Sequence, residues 1–166
     1  MRSLTAIGLA AVLCAATSFT AAQTLVAQRT ISLDAAQELA GEALRSCRKE
    51  GHRVSITVLD AAGRTAVVLH DDGAGLHTIE HSLRKAHTAF VARQPSGDYG
   101  KRVISNPAGA SILQLQNMTL AEGGLPILAG RELVGAIGIS GAPGGDKDAA
   151  CAQAGIDRIS KNFSGG

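Results

Sequence analysis

Aromatic residues are nearly missing from this 166-residue chain, which has no Trp, one Tyr and three Phe. A core built on large rings is therefore excluded. Twenty glycines and many alanines point instead to close backbone packing with small side chains. The same scarcity argues against a large preformed cofactor slot, because such pockets are mostly aromatic and aliphatic. One-signed charge is also lacking: 16 Lys and Arg stand against 14 Asp and Glu, a formal net charge of +2. No basic run or aromatic-interleaved patch suggests a nucleic acid partner, and no basic amphipathic helix suggests a membrane surface. After the first 22 residues no apolar segment is long enough to span a bilayer.

Those first 22 residues read as a secretory signal. Arg2 supplies the positive start, residues 4–16 form a short apolar run, and Thr20-Ala21-Ala22 offers small residues for cleavage. The mature chain is expected to begin at Gln23, with residues 23–166 forming a single domain in the periplasm or outside the cell. Cys14 is lost with the signal. Cys47 and Cys151 remain, and the sequence leaves open whether they pair in an oxidising compartment or stay as two buried thiols.

Periodicity predicts a helix capped by Ser32 and stopped by Gly51, with Leu33, Ala36, Ala40, Ala43, Leu44 and Cys47 on one face. Residues 54–59 and 64–70 read as a hairpin around Asp60-Ala61-Ala62-Gly63. A central helix follows and ends by Gln94-Pro95. Residues 96–105 read as loop or a short helical turn, and Asn106-Pro107 as the start of another helix. Residues 118–121 read as a short strand or an extended link. Residues 125–128 and 133–140 make a second hairpin, in which Gly135 and Gly138 imply close backbone packing. A last helix begins near Asp146 or Asp148. The order gives an α/β chain with an antiparallel sheet and helices on its faces.

The central helix holds three of the five histidines. At 100° per residue, Ile79, Leu83, Ala86 and Phe90 share a narrow arc that is expected to be buried. His77, His81, Arg84 and Thr88 point the other way, Glu80 and His87 flank one edge, and Lys85 lies on the other. His77, His81 and His87 are candidate axial ligands for haem, with Arg84 and Lys85 available for its carboxylates. His77-Thr78-Ile79-Glu80-His81 also spells H-x-x-E-H, so His77, Glu80 and His81 are candidate ligands for a transition metal ion, with His70 or Asp72 completing the shell. The backbone N–H groups at Gly123, Gly124 and residues 141–145 are candidates for holding a carboxylate or phosphate. No Ser/His/Asp or Cys/His nucleophilic set is visible, and no catalytic residue is assigned.

Four stretches together carry a family resemblance: Val58-Leu59-Asp60-Ala61-Ala62-Gly63-Arg64; Asp72-Gly73-Ala74-Gly75 with His77-Thr78; Arg84-Lys85-Ala86-His87-Thr88-Ala89; and Gly123-Gly124-Leu125-Pro126-Ile127 with Val134-Gly135-Ala136-Ile137-Gly138-Ile139-Ser140-Gly141. The chain resembles the GlcG/HbpS family of haem-binding proteins, and is similar also to the C-terminal domain of PduO. The resemblance implies a profilin-like domain, a five-stranded antiparallel sheet flanked by helices on both faces, and assembly as a homo-oligomer. It implies haem or a related small molecule as ligand, in an exported protein. Iron-sensing relatives carry acidic pairs spaced by two, which this chain lacks in the matching context. Two other classes remain open: a small enzyme or enzyme accessory acting on a carboxylate-bearing metabolite, and a purely structural oligomer.

Overall fold

A computed structural model describes residues 26–163; the expected signal segment lies outside them. Helix α1 (Leu33–Lys49) starts where the Ser32 hydroxyl accepts the Ala35 N–H, and ends before Gly51 at φ +76°. Strands β1 (Ser55–Asp60) and β2 (Thr65–His70) form the first hairpin. Helix α2 (His77–Ala92) leads to α3 (Ser96–Ser105) and a 3-10 helix, Pro107–Gln114. Strands β3 (Gly124–Ala129) and β4 (Glu132–Ser140) form the second hairpin, and α4 (Gly145–Ser160) closes the described chain.

The sheet is antiparallel, in the order β2-β1-β4-β3. It has four strands among the described residues, not the five implied by the resemblance; residues 118–121 run as a link outside the ladder. Residues 96–105 form a full helix where a loop or single turn was expected, and the segment after Asn106 winds as a 3-10 helix.

The two faces of the sheet differ in chemistry. Ile56 and Val58 of β1, with Ile137 and Ile139 of β4, pack against Leu39, Ala40 and Ala43 of α1 and Ala152 and Ile159 of α4. Cys47 and Cys151 are disulfide-bonded between those helices, Cα to Cα 5.4 Å. The alternate residues Ser55 and Thr57 face α2 and are equally buried. The Thr57 hydroxyl bonds that of Ser82 at 2.8 Å, and the Ser55 hydroxyl bonds that of Thr78 at 2.7 Å.

Helix α2 thus buries a face that its wheel did not predict. Thr78, Ser82, Lys85, Ala86, Thr88 and Ala89 are buried, while Ile79, Leu83 and Phe90 are only half-buried; of the predicted stripe Ala86 alone is fully enclosed. The reason is closeness of approach. A methyl group on Gly138 would collide with the Ser82 carbonyl and the Ala86 N–H, so the helix backbone rests directly on β4. Only small or hydrogen-bonded side chains fit such a seam. The apolar stripe is displaced to the border beside β2, and His77 and His81 to the opposite border.

Candidate functional site

Along that second border, His77 and His81 line a cleft of about 470 Å³ with Ser140, Glu122 and the loop formed by Gly141, Ala142, Gly144 and Gly145. Three connections converge here: the start of α2, the link into β3, and the β4–α4 loop. The two histidines thus lie beside the glycine-rich turn at 141–145.

His81 is the half-buried member of the pair, with Ser140 Oγ 3.2 Å from its Nδ1. Burial holds its pKa below the usual histidine value, and the charges of Lys85, His77 and Arg84 push the same way against Glu80. The imidazole is therefore neutral near pH 7, the form that can donate a lone pair to a metal. When Nδ1–H donates to Ser140, Nε2 keeps that lone pair and the ring plane is fixed. The His77 ring is exposed and lies back over Gly75.

Lys85 is not the free cation that its wheel position suggested. Its side chain is 3% exposed, and Nζ donates to Asp148 Oδ2 at 2.6 Å. The other carboxylate oxygen of Asp148 accepts the Ala142 N–H at 3.0 Å, so one buried ion pair ties α2 to the loop that forms the cleft wall. Burial nonetheless raises the pKa of Asp148, outweighing the opposing effect of Lys85. Arg84 is likewise committed, to Glu80 one turn earlier on the exposed face.

Gly124 does not offer an open N–H to an anion either. The Gly124 N–H is taken by Ser96 Oγ at 2.9 Å, and the Gly123 carbonyl accepts Ile139 N–H. Gly123, at φ +119°, roofs the ion pair; a Cβ there would sit 2.9 Å from Lys85 Nζ and 2.8 Å from Asp148 Cβ. Gly123 makes room for the ion pair, and Gly124 for the Lys85 backbone carbonyl, which a Cβ there would strike.

The expected metal set also separates. Glu80 lines a different cleft, with Leu76, Ile79 and Leu83, and no three His, Cys, Asp or Glu side chains gather to hold a metal ion among the described residues. His70 is tied down elsewhere. Thr78 Oγ1 gives its one proton to the Gly75 carbonyl at 2.6 Å, so Ser55 must donate to Thr78, and the His70 Nδ1–H must donate to Ser55 at 2.7 Å. His87 is half-buried farther along α2 and does not line the cleft. The sequence reading passed over Asp148 and Ser140, whose roles depend on pairings 63 and 59 residues apart.

Comparison with known proteins resolves the resemblance. A family model described as "Haem degrading protein HbpS-like" matches residues 31–157. The chain belongs to the HbpS-like family. The crystal structure of HbpS is similar at 34% identity and a TM-score of 0.76, covering 83% of this chain and 97% of that one. A structure titled as a PduOC:heme complex shares the fold at 23% identity, with a TM-score of 0.71 over 78% of this chain and 95% of that one. An uncharacterised 15.0 kDa protein of Citrobacter freundii, from the dhaT–dhaS intergenic region, is 29% identical over 114 residues, 68% of this chain and 80% of its own.

Proposed function

We propose that this protein is an exported haem-binding protein whose iron ligand is His81, with His77 as the second imidazole of the cleft. The observation that carries the reading is the half-buried His81 ring braced by Ser140 beside the loop of residues 141–145. The cleft volume lies within the range of small-molecule sites. Haem would bring a redox-active iron to a donor set that fits it: one oriented imidazole, a second nearby, and loop glycines that let a flat ligand approach the backbone. Lys85 belongs to the wall of this site. Membership of the family and the name of the haem-bound neighbour support the choice of ligand.

Export is supported by the signal-like first 22 residues and by the disulfide joining Cys47 to Cys151, a bond suited to an oxidising compartment. The mature chain then begins at Gln23 as one domain, and it assembles as a homo-oligomer. The alternative of an enzyme acting on a carboxylate-bearing metabolite rested on the Gly-rich loops beside Arg84 and Lys85, and both of those cations are paired with carboxylates.

Absorbance titration of the mature protein with haem tests the reading. A Soret shift is expected that weakens at least about tenfold, or 1.4 kcal/mol, in His81→Ala and is unmoved in His87→Ala. The absence of a shift, or a shift indifferent to His77→Ala and His81→Ala together, would refute it. Adding a reductant to the same cuvette reads whether the bound haem is retained or degraded.

A further inference from the structure

At the far end of α2 from the histidines, a second cleft of about 530 Å³ opens between the arm that precedes α1, the β1–β2 turn, the end of α2 and the β3–β4 turn. Its walls are tied together. The Gln28 side-chain amide donates to the Ala61 carbonyl at 2.9 Å, and the Ala61 N–H donates to the Thr30 hydroxyl at 3.0 Å. Phe90 packs against the β1–β2 turn, where a Cβ on Gly63 would lie 3.1 Å from its ring.

Two cations, Arg93 and Arg131, share this cleft, and neither has an ion pair among the described residues. Every other arginine of those residues faces a carboxylate or, for Arg102, the Tyr99 ring. Glu132, the one acid lining the cleft, lies 3.9 Å from Arg29. Arg93 also holds an uncommon backbone. It ends α2 at φ +52°, in the left-handed position usually given to Gly. A non-glycine residue kept there carries a conformational cost, and such costs gather at ligand clamps.

We propose that this cleft is a second binding site, for a small organic anion whose carboxylate or phosphate is held by Arg93 and Arg131 and whose apolar part lies on Phe90 and Leu133. The planar guanidinium fork matches both anions, and the volume suits a molecule of that class. Arg93 lies roughly 18 Å along α2 from His81, so the site is separate from the histidine cleft and does not depend on the haem reading.

Isothermal titration of the mature protein at low ionic strength tests the site, with phenyl phosphate and benzoate as probes and benzyl alcohol as the uncharged control. Saturable binding of an anion is expected, and none of the alcohol. Binding of phenyl phosphate alone assigns a phosphate ligand, and binding of benzoate alone a carboxylate. Arg131→Gln should weaken binding about fivefold or more, and Glu132→Gln should tighten it. Arg93→Gly removes the guanidinium and relieves the backbone. It should lose the same affinity yet melt at or above the wild-type temperature, a combination that a purely structural arginine would not give. The haem titration should be unmoved in Arg93→Gly/Arg131→Gln, so the two sites are read separately. Saturable binding of neither anion, equal binding of the alcohol, or anion binding unchanged in that double variant would overturn the proposal.

Discussion

Replacing Lys85 by Met leaves the Asp148 carboxylate without a counter-ion in a site where both side chains are 3% exposed. Removing one member of a buried pair typically costs about 3–5 kcal/mol, since the survivor keeps its desolvation penalty and loses the attraction that offset it. A chain of this size has total stability of roughly 5–15 kcal/mol, so Lys85→Met should forfeit a large part of it. The melting temperature should fall by roughly 10 °C, at about 2–4 °C per kcal/mol. Asp148→Asn keeps an acceptor for the Ala142 N–H while stranding Lys85, and should be the milder single change. The decisive quantity is the coupling. Lys85→Met/Asp148→Asn should cost less than the two single losses added, by about 1–3 kcal/mol, because no charge is left unpaired. Urea unfolding followed by circular dichroism measures all three. A Lys85→Met loss below about 1 kcal/mol, or strict additivity in the double variant, would show that water reaches this pair and that it does not clamp the cleft wall.

Gly138→Ala should destabilise by about 3 kcal/mol or more through overpacking, because the added methyl meets the backbone of α2 at Ser82 and Ala86; a melting temperature close to wild type would contradict the seam. Replacing both Cys47 and Cys151 by Ser opens a loop with a sequence separation of 104, which chain-entropy arguments value at about 4–5 kcal/mol; matched urea curves for reduced wild type and the double variant check that the bond, not the side chains, is responsible. For pH, burial depresses the pKa of His87 below 6.5 in the fold. Its contribution is thus complete above 6.5 and is lost as pH falls from there toward the depressed value, where the unfolded chain binds the proton more readily. His87→Gln should flatten stability against pH in that window, and an unchanged profile would count against the burial.

How far the sequence could be read depended on which interactions have a local signature. Ser32 and Gly51 mark the ends of α1, and both hairpins follow from β-branched runs broken by turn residues, within a residue or so of the observed strands. The family motifs were legible for the same reason: they lie in turns and close contacts where few residues fit. The seam under α2 left a signal that was only half usable. Gly138 announced that something approaches β4 closely, but periodicity assigned the buried face of α2 to its most apolar arc. Hydrophobicity ranks faces by transfer from water, whereas closeness of backbone approach ranks them by size, and at Thr78, Ser82 and Ala89 size prevailed. Lys85 shows the limit most sharply. A lysine on a helix border reads as a solvated cation until a carboxylate 63 residues away is known to share its burial. Gly123 was the available clue: it sits over that pair with no side chain, where a Cβ would meet Lys85 Nζ and Asp148 Cβ.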